Sequence, residues 1–200
     1  MTGPPKEYDA LIIGAGINGC GIALELSKRG HSVAVFDKGE IGGGTSSKSS
    51  RLIHGGLRYL EHLHLGLVYE ALHDRTELVG SYPDLVSLVP FYLPLYQDSP
   101  RHPITVWTGL KLYDVLAGRN NKTRSGRVSF DQFEDSFPNI RKDRLRAVLR
   151  YYDGKTNDLD LTRRVAQDAA ALGCRLYEQT PVQAVRVSDQ IVEIDTSEGT

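Results

Sequence analysis

The sequence is poor in cysteine. Cys20 and Cys174 are the only two in 200 residues, and neither falls in a metal-ligand spacing, so a thiolate metal site is excluded and free thiols of a reducing cytoplasm are expected. Net charge is nearly absent as well. At a formal −1 there is no global attraction for nucleic acid. No uninterrupted apolar stretch approaches the roughly 20 residues that a membrane-spanning helix needs. Only Met1 to Glu7 precede the first apolar run, too little for a secretory leader. What is present is ordinary for a soluble globular chain: 40% hydrophobic residues, enough to bury a substantial core, and a balanced mix of charges.

Tyr8-Asp9-Ala10-Leu11-Ile12-Ile13 reads as a buried parallel strand. Gly14-Ala15-Gly16-Ile17-Asn18-Gly19 follows in the spacing G-x-G-x-x-G. The first glycine permits a tight turn, the second lets the backbone approach a pyrophosphate, and the third lets the next helix pack closely on the strand. That helix is predicted over Ile17 to Arg29, with Ala23 and Leu26 facing the sheet and Gly30 ending it. Its free N–H groups and positive dipole end would point at phosphates. His31 to Asp37 supplies a second strand closed by an acid, 23 positions after Gly14, where a carboxylate can accept hydrogen bonds from ribose hydroxyls. The same carboxylate argues against a 2′-phosphate. On these residues both NAD and FAD remain open.

The next block is denser still. Thr45-Ser46-Ser47-Lys48-Ser49-Ser50-Arg51-Leu52-Ile53-His54-Gly55-Gly56-Leu57-Arg58-Tyr59-Leu60-Glu61 packs hydroxyls, paired glycines and arginines together. Taken singly these residues have plainer readings: a flexible polar loop at Thr45 to Ser50, a surface cation at Arg58, a structural hydrogen-bonded His54, core packing at Tyr59. As one block, with Ile13 to Ala23 before it and Val68-Tyr69-Glu70-Ala71-Leu72 after it, the sequence resembles the FAD-dependent glycerol-3-phosphate dehydrogenases, within the wider family of D-amino-acid-oxidase-like flavoproteins. The resemblance weakens beyond about Leu78 but persists to the end.

The resemblance implies FAD as cofactor. It assigns to cofactor binding Gly14, Gly16, Ile17, Asn18, Gly19, Asp37, Lys38, Thr45, Ser46, Ser49, Arg51, Leu52, His54, Gly55, Gly56 and Val182, the last through backbone groups at the adenine edge. Arg58 would grip the substrate phosphate with Tyr59 beside it. Two positions depart from the family pattern: Asp37 stands where Glu is common, and Arg51 where Lys is common. Asp is shorter, so its ribose contact would run through a water, and Arg changes the donor geometry. The implied reaction is oxidation of the secondary alcohol of sn-glycerol 3-phosphate to dihydroxyacetone phosphate. In it a base takes the hydroxyl proton, hydride passes to flavin N5, and electrons go on to quinone or another acceptor. No metal is implied.

Further along, Gly39 to Gly44 is a glycine-rich loop that a cofactor could approach or that is simply flexible. Leu65 to Val79 has helical apolar spacing stopped by Pro83. Leu85 to Tyr96 reads as a strand pair or an edge strand interrupted by Pro90 and Pro94. Residues 101–127 hold six Lys or Arg against one acid, Asp114. Within them Ile104 to Leu116 is predicted as an apolar helix with Trp107 and Tyr113. From the residues alone this is a core helix followed by a solvated basic loop. The resemblance turns it toward a peripheral contact with an anionic membrane surface, at the inner face of the cytoplasmic membrane. Leu145 to Asp153 alternates like a strand, Asp158 is the expected cap of a helix from Leu159 to Leu172, Cys174 to Glu178 is a strand, and Val182 to Val187 and Gln190 to Asp195 are two more joined at Ser188-Asp189.

The expected fold is α/β: a Rossmann-like FAD-binding domain with a parallel sheet, plus part of an antiparallel-sheet substrate domain. The FAD-binding domain is expected over 1–80 and 143–200, with 81–142 inserted as part of a substrate- or membrane-facing domain. Because later family segments are missing, the chain reads as the N-terminal portion of a longer flavoprotein, with weak FAD binding and little turnover expected of these residues alone. Two other readings stay open: a related flavoprotein oxidising an amine or a 2-hydroxy acid, and a non-catalytic nucleotide-binding fragment.

Overall fold

The computed structural model describes residues 7–118, 123–188 and 191–196. In chain order the elements are β1 (Ala10–Ile13), α1 (Ile17–Lys28), β2 (Val33–Phe36), β3 (Leu52–Ile53), α2 (Leu65–Ser81), β4 (Ser87–Tyr96), α3 (Pro103–Leu116), β5 (Gly126–Val128), α4 (Phe130–Ser136), β6 (Leu145–Lys155), α5 (Asp158–Ala171), β7 (Arg175–Tyr177), β8 (Val182–Val187) and β9 (Val192–Thr196). Short 3-10 turns occupy Thr45–Ser47 and Leu57–His62. Arg119, Lys122, Asp189 and Gln190, named above in the basic segment and the final strand pair, lie outside the described residues, as do Met1 to Lys6. Among the described residues no helix is long and apolar enough to cross a membrane.

The chain divides into two compact units, one of residues 1–50 and 157–200 and the other of residues 51–156. The borders expected from sequence, at 80/81 and 142/143, lie elsewhere. Segments 51–80 and 143–156 belong with the second unit because β3 and β4 both pair with β6.

In the first unit a parallel sheet runs in the order β1-β2-β7. β2 is its central strand, and all four of its residues are buried. β1 pairs on one side only among the described residues, so the buried strand expected at Tyr8–Ile13 is shorter and half-buried, with Ile13 59% exposed. α1 buries Cys20, Ala23, Leu24 and Ser27, an i, i+3, i+4, i+7 stripe. Leu26, expected on that face, is only half-buried, because it lies off the stripe. Gly30, at φ +85°, ends the helix as expected. α5 packs against α1. Its cap is Asn157, whose side chain accepts from the Leu159 N–H at 3.3 Å. Asp158, the expected cap, is already the first helical residue. The β8–β9 hairpin seats Val182 and Ile194 on Ala34 and Phe36.

In the second unit β6 is the spine of an antiparallel sheet. β4 lies along one side, and β3 and β5 share the other. β4 is a single ten-residue strand running through Pro90 and Pro94. Among the described residues it is an edge, so two residues without an N–H are tolerated at positions facing away from the ladder. α2 and α3 pack through Val68, Leu72 and Tyr113, with Tyr151 of β6 beneath them.

Candidate functional site

In the first unit, the loop between β1 and α1 and the loop after β2 enclose a cavity of about 750 Å³. Seven of the residues expected to hold a cofactor line it: Gly16, Ile17, Asn18, Asp37, Lys38, Thr45 and Ser46. Gly39, Gly42, Gly43 and Gly44 also line it, and two glycines outside the lining shape the turn that carries Gly16. Gly14 has φ +104°, a left-handed conformation that disfavours any side chain, and its N–H donates to Phe36 O at 2.7 Å. At Gly19 a Cβ would lie 1.9 Å from the carbonyl oxygen of Gly14. The first turn of α1 is therefore pressed onto the end of β1 as closely as a backbone allows.

Hydrogen bonds fix the rim. The Asp37 carboxylate accepts from Ala15 N–H at 2.6 Å and from Gly39 N–H at 2.8 Å. It thus ties the end of β2 to the glycine turn, and each oxygen has a second lone pair not used by these two bonds. α1 begins at a glycine cap with no side chain. Ser46, 29 residues away, supplies the missing acceptor by taking the Ile17 N–H at 3.1 Å. The amides of Asn18 and Gly19, in the first turn, have no intrahelical acceptor. The cavity walls carry Lys38 against Asp37 and Glu40, so an anion held here would rest on backbone N–H groups and the helix dipole more than on side-chain cations. These features fit the diphosphate of a dinucleotide: a glycine-rich lining, N–H donors at the helix start and an acid at the end of the second strand.

Besides Gly14 and Gly19, two expected cofactor residues of this unit sit apart from the cavity lining. Ser49 donates to Asp158 Oδ2 at 2.5 Å, tying the hydroxyl-rich loop to the start of α5. Val182, at the start of β8, packs its side chain in the Phe36 cluster.

The remaining expected residues form a second group within the second unit. Arg51, at φ +59°, is exposed and its carbonyl accepts from Thr156 N–H. Leu52 pairs with Lys155 in β3. His54 is exposed, Gly55 and Gly56 are buried, and Arg58 and Tyr59 stand exposed on the 3-10 turn that follows. Among the described residues Arg58 makes no ion pair, whereas Arg101 is paired with Glu61 at 2.6 Å.

Behind this group lies a cluster that sequence reasoning missed. Asp153, 2% exposed, faces Arg75, 1% exposed, at 3.0 Å. Asp153 Oδ1 also accepts from Gly55 N–H at 2.8 Å and from Tyr113 Oη at 3.1 Å. Burial, and then the neighbouring Asp153 charge, push the Tyr113 hydroxyl well above its ordinary range, so it stays a protonated donor. Removing one partner of such a buried pair costs on the order of 3–5 kcal/mol, because the other charge is left uncompensated. One signal was available: Arg75 continues the Val68–Leu72 stripe of α2, a position where an arginine must find a buried partner.

The FAD dependent oxidoreductase family matches residues 9–200. The chain belongs to that family. Among curated proteins it is 38% identical over 184 residues to the mitochondrial glycerol-3-phosphate dehydrogenase of Saccharomyces cerevisiae, covering 88% of this chain and 28% of that one. It therefore spans between a quarter and a third of that relative's length. Among solved structures, the glycerol-3-phosphate dehydrogenase of Bacillus halodurans complexed with FAD aligns with a TM-score of 0.68 and 21% identity, over 96% of this chain and 30% of that one. L-proline dehydrogenase from P. horikoshii aligns with a TM-score of 0.71 and 22% identity, over 98% and 50%. Both solved structures share the fold of this FAD dependent oxidoreductase chain, and the α/β architecture expected from sequence is thereby established.

Proposed function

We propose that this chain holds FAD and part of the substrate site of an enzyme that oxidises sn-glycerol 3-phosphate to dihydroxyacetone phosphate, passing electrons to a quinone or another acceptor. The observation that carries the cofactor assignment is the glycine-lined cavity at the start of α1, with Asp37 among its lining residues. Bound there, FAD would supply the hydride acceptor. The chain's own residues orient and compensate charge: the Asn18 and Gly19 amides at the diphosphate, Asp37 at the ribose, Thr45 and Ser46 along the phosphate side. The substrate assignment rests on the relative's name and on Arg58, an exposed guanidinium able to grip a phosphate through two hydrogen bonds.

The test is anaerobic. The FAD-loaded full-length protein is mixed with glycerol 3-phosphate, with L-proline and with 2-hydroxy acids, and bleaching of the flavin is followed. Bleaching by glycerol 3-phosphate alone supports the reading; bleaching by proline or a hydroxy acid instead replaces it. Arg58→Ala is expected to raise KM for glycerol 3-phosphate about 10- to 100-fold, the worth of a lost charge-assisted contact, with FAD occupancy unchanged. Equal losses in both would move Arg58 to the cofactor.

The site of action we propose is the cytoplasm, with contact at an anionic membrane surface through the basic segment 101–127. Lys111 contributes little to that contact. It is held over the Trp107 ring at 4.2 Å and donates to Ser125 O at 2.8 Å. Ile104, 68% exposed at the start of α3, Val115, 71% exposed near its end, and the exposed Arg124 and Arg127 are among the described groups that would meet lipid. Co-sedimentation with vesicles containing anionic lipid, lost at high salt, is the expected result. Absence of sedimentation at low salt would remove the proposal.

A further inference from the structure

We propose that Asp153 is a positioning residue: its buried carboxylate locks the His54–Gly55–Gly56 turn, and so sets where Arg58 and Tyr59 stand. The inference rests on the reading of Arg58 as the ligand of a phosphorylated substrate.

A buried Asp–Arg pair alone would be a stability device. This one does more, because Asp153 Oδ1 serves three donors from three different elements. They are Arg75 Nη1 on α2, Tyr113 Oη on α3 and the backbone N–H of Gly55, 98 residues away in sequence. Oδ2 faces His54 Nδ1 at 3.8 Å. Arg75 Nη1 is itself fixed from a second side by the Tyr152 carbonyl at 2.8 Å.

The turn is shaped to this anchor. A Cβ on Gly55 would come within 2.0 Å of Tyr113 Oη and 2.6 Å of Leu72 Cδ2, so its backbone lies directly on the cluster. Gly56 has φ +75°. The 3-10 turn carrying Arg58 and Tyr59 starts at the next residue, with Tyr59 N–H donating to Gly56 O at 2.8 Å. Beneath, a Cβ on Gly154 would meet Ile53 Cβ at 2.9 Å, holding β3 tight against β6 immediately before the turn. Only Gly56 and Leu57 separate Gly55 from Arg58, so freeing the Gly55 N–H frees the platform on which the guanidinium stands. A misplaced binding group weakens substrate binding even though the group itself is unchanged.

The experiment uses the full-length FAD-loaded protein. The double variant Asp153→Ala with Arg75→Met removes both buried charges at once, so neither is left unpaired. Its expected signature is a KM for glycerol 3-phosphate raised at least tenfold, kcat within threefold, FAD content retained, and faster amide exchange across residues 54–59. Introduced into an Arg58→Ala background, the same pair of changes should alter KM by less than twofold, since the group it positions is gone. Should the double variant fail to retain FAD, Tyr113→Phe, which keeps the ion pair and removes one donor, should still raise KM about threefold in the same Arg58-dependent way. An unchanged KM with unchanged exchange, or a KM effect that persists without Arg58, overturns the proposal. A wild-type protein inert toward glycerol 3-phosphate would instead defeat the substrate reading. Amide exchange at Gly55 would then decide whether Asp153 fixes the turn: unchanged exchange in the variant overturns that role, faster exchange sustains it.

Discussion

Placing a methyl group on Gly19 separates close packing from mere helix propensity, because Gly21 in the same helix provides the control. At Gly19 the new Cβ would lie 1.9 Å from Gly14 O, whereas ordinary contact begins at 3.4 Å. α1 would have to retreat by about 1.5 Å from the end of β1. Both atoms in conflict are tied to backbone, so no flexible side chain can yield. Overpacking of this kind costs about 1–3 kcal/mol, against about 0.5–1 kcal/mol gained by replacing a helical glycine with alanine. At Gly21 a Cβ meets nothing within 4 Å, so Gly21→Ala should show only the gain. Urea unfolding should therefore place Gly21→Ala above the wild type and Gly19→Ala below it, separated by roughly 1–3 kcal/mol. Since the retreat also carries the Asn18 and Gly19 amides away from the cavity, Gly19→Ala should lose FAD on gel filtration while Gly21→Ala keeps it. A Gly19→Ala protein as stable as Gly21→Ala, and equally yellow, would refute the argument that this glycine sets the helix–strand distance.

Asp37→Ala removes the acceptor of both Ala15 and Gly39 N–H; it should cost about 1–3 kcal/mol in urea unfolding and weaken FAD binding, whereas a loss of FAD with unchanged stability would restrict Asp37 to the ribose. Asn157→Ala should cost about 1 kcal/mol as a lost helix cap, and Asp158→Ala less, since it gives up the exposed Ser49 contact and a first-turn carboxylate; the reverse order by urea unfolding would reassign the cap. Burial pushes the Cys20 thiol up to about 11, so Cys20 should resist iodoacetamide at pH 8 in the folded protein and react on unfolding, as read by mass spectrometry. The sign follows from the raised value: the stability this thiol contributes is complete below the ordinary thiol value of 9.0 and is lost as pH rises toward about 11.

The cavity was legible in the sequence because its parts lie close together along the chain and each answers to a local rule. Gly14 needs a left-handed turn, Gly19 a close approach, and Asp37 closes the next strand, all within 24 residues. The unit borders were not legible. They depend on β3 and β4 pairing with β6 about 100 residues beyond β3, and such pairing leaves no mark in either segment alone. For β4 the edge-strand alternative held and the strand pair did not; that Pro90 and Pro94 do not interrupt it was not legible, since whether a proline breaks a strand depends on which side of it is paired. The same contrast separates the two aspartates. Asp37 could be found because its partners, Ala15 and Gly39, belong to the motif that contains it. Asp153 sits in β6, whose alternating pattern predicts a strand and no more, and its partners arrive from 78 and 98 residues away. Arg75 was the visible half of that pair, a charge in the apolar stripe of α2. Burial of such a charge is costly enough that the stripe itself demands a carboxylate opposite. Arg75 thus implies a buried acid, but which acid it meets is set by the packing of α2 on β6, 78 residues away along the chain.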